Sequence, residues 1–131
     1  MRRLLAATLM LVSVQAWGAA EPEDICYTGS RFAECAALWD QNRYVEISDV
    51  RVLMKATYFQ GYVDGAFQTL ATHGLICPSA GVTHAQAWAV TAKYLHENPD
   101  KWNDNPDNLV RLALSNAFPC KPPAAQINRK K

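Results

Sequence analysis

The chain has 131 residues, a length suited to one domain, and carries thirteen basic against twelve acidic side chains for a formal charge of +1. That near balance, with no basic stretch beyond the short Arg129-Lys130-Lys131 end, excludes the electrostatic footprint of a nucleic-acid binder. Four cysteines at spacings of 9, 42 and 43, with no C-x-x-C pair, fit neither a zinc ribbon nor a zinc finger.

The first segment has the layout of a secretory signal peptide. Met1-Arg2-Arg3 is a positive start, Leu4 to Trp17 is uncharged and mainly apolar, and Gly18-Ala19-Ala20 supplies a small-residue cleavage site before Glu21, Glu23 and Asp24. The apolar run of about 14 residues falls short of the roughly 17–25 that a spanning helix needs. No later segment is apolar enough to span, so the mature chain is expected to be soluble, with no membrane contact. Cleavage after residue 20 removes two basic and no acidic residues and turns the charge to about −1. The expected organisation is a signal peptide over 1–20, a helical domain over 21–120, and a disordered tail over 121–131 that starts Lys-Pro-Pro.

Four helices and no strand are predicted. The first spans Ser30 to Asn42, with capping side chains in Thr28-Gly29-Ser30 and an apolar face of Phe32, Cys35, Ala36 and Trp39. The second spans Asp49 to His73, capped by Ser48 and ended by Gly74 in a left-handed conformation. Its core stripe is Val52, Ala56, Phe59, Val63, Ala66 and Leu70. A different face carries Tyr58, Gly61, Tyr62, Gly65 and Thr69. Each glycine inside the helix costs about 1 kcal/mol relative to alanine, so either another backbone approaches there, from this chain or across a two-fold axis, or the helix kinks at Gly61.

The third helix opens with the capping box Thr83-His84-Ala85-Gln86 and a Val82–Ala87 staple. Its expected core face is Ala85, Trp88, Ala92 and Leu95, and Asn98-Pro99 ends it near Glu97. The fourth starts at Asn105-Pro106, buries Leu109, Val110, Ala113, Leu114 and Ala117, and stops before Pro119. The link from Asn98 to Asp104 makes the last two helices an antiparallel hairpin. The fold class is therefore all-α: a small four-helix domain with a C-terminal antiparallel helical hairpin.

An even cysteine count in an exported domain predicts two disulfides. The hairpin puts the start of the third helix beside the end of the fourth, which pairs Cys77 with Cys120 and leaves Cys26 with Cys35. Closing the longer loop of about 44 residues is worth about 4 kcal/mol on the chain-entropy account, and the shorter about 2–3 kcal/mol.

Catalytic chemistry is sparse. His73, His84 and His96 lie 11 and 12 apart, share no i, i+4 face, and form no H-E-x-x-H motif, so no metal site is expected. The cysteines are occupied as disulfides, and no G-x-S-x-G or phosphate-binding glycine loop occurs. Asp104 and Asp107 sit where carboxylates favour a helix start. No enzyme and no cofactor is predicted. Trp102, in the polar loop Glu97–Asp104, is either a contact anchor or a side chain folded back over the hairpin.

Five ordered pieces resemble the Rap/Tai family of immunity proteins associated with type VI secretion: Thr28-Gly29-Ser30 through Cys35, Gly61-Tyr62-Val63-Asp64-Gly65, Cys77-Pro78-Ser79-Ala80-Gly81-Val82-Thr83, Tyr94-Leu95-His96-Glu97-Asn98-Pro99, and Ala117-Phe118-Pro119-Cys120. One departure from the pattern this resemblance implies is that Phe59 stands where many members carry a cysteine, and Cys26 is an additional one upstream. The resemblance implies a periplasmic, non-enzymatic inhibitor that binds a cognate peptidoglycan amidase effector and blocks its active site, typically as a homodimer. The alternatives are a small exported acid-stress chaperone of the Hde type or another envelope binding module. An inhibitor needs a rigid projection, which makes Asp100, Lys101, Trp102 and Asn103 the expected partner contacts. Tyr58, Gly61, Tyr62 and Gly65 are the expected helix-packing or dimer face.

Overall fold

A computed structural model describes residues 25–121; the signal segment and, apart from Lys121, the C-terminal tail lie outside the described residues. The helices are α1 (Gly29–Asn42), α2 (Val50–Thr72), α3 (His84–Glu97) and α4 (Pro106–Ala117), with a 3-10 turn at Pro99–Lys101. Among the described residues there is no strand.

Local chemistry sets the helix ends. Thr28 caps α1 by accepting from the Arg31 amide. The cap of α2 is Asp49, whose Oδ1 accepts from the Arg51 amide at 2.8 Å, and not Ser48 as expected. Both residues are competent caps, and the carboxylate also suits the positive end of the helix. Gly74, at φ +67°, ends α2. Its amide bonds the Ala71 carbonyl and the Leu75 amide bonds the Leu70 carbonyl, the paired pattern of a Schellman motif. At α3 both arms of the capping box form: the Gln86 amide donates to Thr83 Oγ1 at 3.3 Å, and the Thr83 amide donates to Gln86 Oε1 at 2.7 Å. Asn105 caps α4 through the Asn108 amide, with Pro106 at the first position.

The core lies between α1 and α2 on one side and the α3–α4 hairpin on the other. Phe32 and Trp39 of α1 meet Phe59 of α2 at ring separations of 5.4 and 5.5 Å. Phe59 is thus fully buried between side chains that flank Cys35, and aromatic packing ties α1 to α2 where the resemblance leads one to expect a cysteine. Leu109, Val110, Ala113 and Leu114 of α4 are buried as expected, each large side chain contributing about 1.5–3 kcal/mol.

Three assignments shift. On α3 the fully buried line is Ala87, Thr91 and Leu95, with Trp88 and Ala92 half-buried and Ala85 exposed. This helix packs against α1, α2 and α4 at once, so its centre line is not the one its tryptophan marks. Ala117 is exposed, and Phe118 caps that end by stacking edge-on against Phe67 at 5.7 Å. On α2, Phe67 is buried, while Val52, Ala66 and Leu70 are half-buried.

Both disulfides form as paired from the sequence, Cys26–Cys35 and Cys77–Cys120. The first is sealed in the core, with both cysteines about 1% exposed. The second lies at the surface, where the Cys77 amide also donates to the Phe118 carbonyl at 2.9 Å.

Candidate functional site

The central motif of α2, Gly61-Tyr62-Val63-Asp64-Gly65, spreads its side chains in three directions. Val63 enters the core. The Tyr62 hydroxyl donates to Asp107 Oδ1 and ties α2 to α4. Burial, reinforced by the Asp107 carboxylate, raises the Tyr62 hydroxyl well above the usual phenol range. Asp64 Oδ1 accepts from the Trp88 indole N–H and from His84 Nδ1, each at 2.7 Å, and ties α2 to α3. With its proton on Nδ1, His84 accepts from the Gln68 amide at 3.3 Å through Nε2. The polar residues of this motif therefore brace the helices.

Gly61 and Gly65 are exposed, and a Cβ at either would meet nothing within 4 Å. Among the described residues no other backbone packs closely on them, so the first of the three readings given for these glycines, close approach within the chain, is not met. Beside Gly65 a shallow groove between α2 and α4 is lined by Tyr62, Ala66, Thr69, Leu70, Asp107 and Arg111. Tyr58 and Tyr62 border this face, both half-buried, with ring centroids 6.0 Å apart.

The hairpin loop is densely bonded. The Lys101, Trp102 and Asp104 amides donate to the Asn98, Pro99 and Lys101 carbonyls at 3.1, 3.3 and 2.9 Å. Asn98 Nδ2 donates to the Tyr94 carbonyl at 2.8 Å, and Trp102 Nε1 to the Leu95 carbonyl at 2.9 Å. Asp104 accepts from the Asn105 amide and from the Asn108 side chain. Trp102 is thus half-buried against the core and braces the loop. Asp100, Lys101 and Asn103 are the exposed side chains of the expected contact set.

A second surface did not emerge from the sequence. Tyr44, Val45, Val50, Leu53 and Met54 are all exposed, Tyr44 at 86%. They lie in and just after the α1–α2 link, and Tyr44, Val45 and Leu53 border a groove of about 530 Å³ also lined by Trp39 and Trp88. Interaction surfaces commonly carry exposed apolar clusters of this kind. The available signal was the placing of Val50, Leu53 and Met54 off the buried stripe of α2. Among the described residues no group of three or more histidine, cysteine or acidic side chains could hold a metal, and no helix is long and apolar enough to cross a membrane.

These features define a small, doubly stapled helical domain with a hydrogen-bonded polar loop between its last two helices. Residues 28–120, from the Thr28 cap to the second disulfide, match the Rap1a immunity proteins, and the chain belongs to that family. Membership carries an immunity role, the binding of a cognate effector. No curated protein and no solved structure matches the chain.

Proposed function

We propose that this chain is exported by the signal peptide at residues 1–20 and acts in the periplasm as a type VI secretion immunity protein. It binds a cognate peptidoglycan amidase effector and occludes its active site, with no chemistry of its own. The family match supports the immunity role, and the observation that carries the occlusion mechanism is the hydrogen-bonded loop 98–104. A projection already held in one conformation loses little entropy on binding, which is what filling a cleft against substrate requires. Asp100, Lys101 and Asn103 are its contact side chains, and Trp102 supports them from beneath.

The test is inhibition of a purified amidase encoded beside this chain. Wild-type protein is expected to inhibit at equimolar ratio. The triple variant Asp100→Ala/Lys101→Ala/Asn103→Ala is expected to bind about 30-fold more weakly, or about 2 kcal/mol, with an unchanged melting temperature. Unchanged binding rejects the loop. A matching loss in Tyr44→Ala/Met54→Ala would move the contact to the apolar link.

The Gly61/Gly65 face is proposed to meet a second copy. Among the described residues a Cβ at either of these helix-interior glycines meets open space, and close helix packing across a two-fold axis would give both a use. A sedimentation profile showing only monomer at about 50 μM, a useful range for typical affinities, would reject the homodimer.

A further inference from the structure

The geometry points to Gly29 as the residue that positions the effector-facing loop, an inference that rests on loop 98–104 being the contact surface. Gly29 is the first residue of α1 and is buried. Its φ lies outside the left-handed region, so backbone conformation does not demand glycine. Space does. A Cβ at this position would lie 2.5 Å from the Trp102 carbonyl oxygen, closer still to the Asp104 carbonyl oxygen, and 2.9 Å from Leu109 Cδ1. Two of these neighbours are main chain and cannot turn aside by changing rotamer. The contrast with Gly61 and Gly65, where an added Cβ meets nothing, isolates Gly29 as the glycine that a close approach requires.

The approach joins two elements that are each held elsewhere. The first turn of α1 is fixed by the Thr28 cap, by fully buried Phe32, and by the disulfide from Cys26 to Cys35. The loop is fixed from the α3 side by the Trp102–Leu95 bond and from the α4 side by Asp104. At the contact, loop carbonyls face the positive end of α1, a favourable arrangement. A methyl group at residue 29 must therefore push the loop outward by about 1 Å to reach ordinary contact, displacing Asp100, Lys101 and Asn103 together, a misplacement on the scale that weakens a preorganised site.

The experiment compares wild type, Gly29→Ala and the adjacent exposed control Ser30→Ala as full chains, by amide hydrogen exchange of the free protein and by affinity for the cognate effector. In Gly29→Ala the amides of Lys101, Trp102 and Asp104 are expected to lose about tenfold in protection, with α2 unchanged. Affinity is expected to fall about tenfold or more, while Ser30→Ala matches wild type in both. Unchanged loop exchange in Gly29→Ala overturns the inference whatever the affinity. Protection lost equally through α2 and α3 also overturns it, since Gly29 would then support the whole fold. Faster loop exchange with full affinity instead overturns the reading of the loop as the contact, so the two failures are told apart.

Discussion

The α1–α2 link and the α3–α4 link are built on opposite plans. The first, residues 43–49, carries exposed Tyr44 and Val45, and apart from the Asp49 carbonyl that opens α2 its loop backbone bond is the one from the Val45 amide to the Asn42 carbonyl at 3.2 Å. Arg43 lies over the rings of both Trp39 and Tyr44, at 5.6 and 4.8 Å. The second link exposes polar side chains on a backbone bonded at nearly every turn and seated on α1. Adhesive surface and fixed geometry have been given to different ends of the molecule. A contact made by the first gains from burying apolar area and must order its backbone; a contact made by the second gains little area and is already ordered.

The comparison can be broken at its largest element first. Replacing Cys77 and Cys120 together by alanine unclamps the far end of the hairpin. It is expected to lower unfolding free energy by about 4 kcal/mol, read by denaturant titration. Next, Trp102→Ala removes a brace and leaves the Leu95 carbonyl with only the longer bond from the Asn98 amide, at 3.4 Å. A loss of about 3 kcal/mol is expected, against less than about 0.5 kcal/mol for Tyr44→Ala. Equal effects would show that both links are equally loose.

Thr91 provides a smaller test within the hairpin. Its hydroxyl is fully buried with no hydrogen-bond partner among the described residues. Thr91→Val keeps the shape, removes the unmet polar group, and should raise stability by about 1 kcal/mol in thermal melts. The smallest concerns Tyr62. A tyrosine whose folded pKa is raised stabilises the fold fully below the unfolded value near 10 and loses that contribution as pH rises beyond it. Tyr62→Phe, at a half-buried site, should cost about 0.5 kcal/mol at neutral pH and flatten the alkaline decline. Glu34, hydrogen-bonded by Lys55 at 2.9 Å, has a lowered pKa and acts oppositely, its contribution present above the ordinary carboxylate range and fading as pH falls.

Local signals in the sequence translated directly. Thr83 and Gln86, Asn105 and Pro106, and Gly74 each act within a few residues of themselves, and they set the helix ends as expected. The hairpin they delimit was enough to pair the cysteines. The core face of α3 was harder to place. Its alanines are compatible with burial or exposure, and Thr91 gives no polar-face warning once its methyl is packed. The geometry of the candidate loop was partly legible: its position was identifiable by its polarity and prolines, but whether Trp102 turned in or out depended on the Leu95 carbonyl. The role of Gly29 was hidden, because its neighbours come from the opposite end of the domain.

The two disulfides also set an order of events. Their cysteines are 9 and 43 residues apart, so in an unfolded, reduced chain the Cys26–Cys35 thiols meet at roughly tenfold higher effective concentration from loop closure alone. That bond can form before any helix packs and is then enclosed by the core. Cys77 and Cys120 meet efficiently only once α3 and α4 lie side by side. Oxidation of the second pair would thus report completion of the hairpin, and a species trapped with only the first bond marks a chain that has not yet assembled its loop.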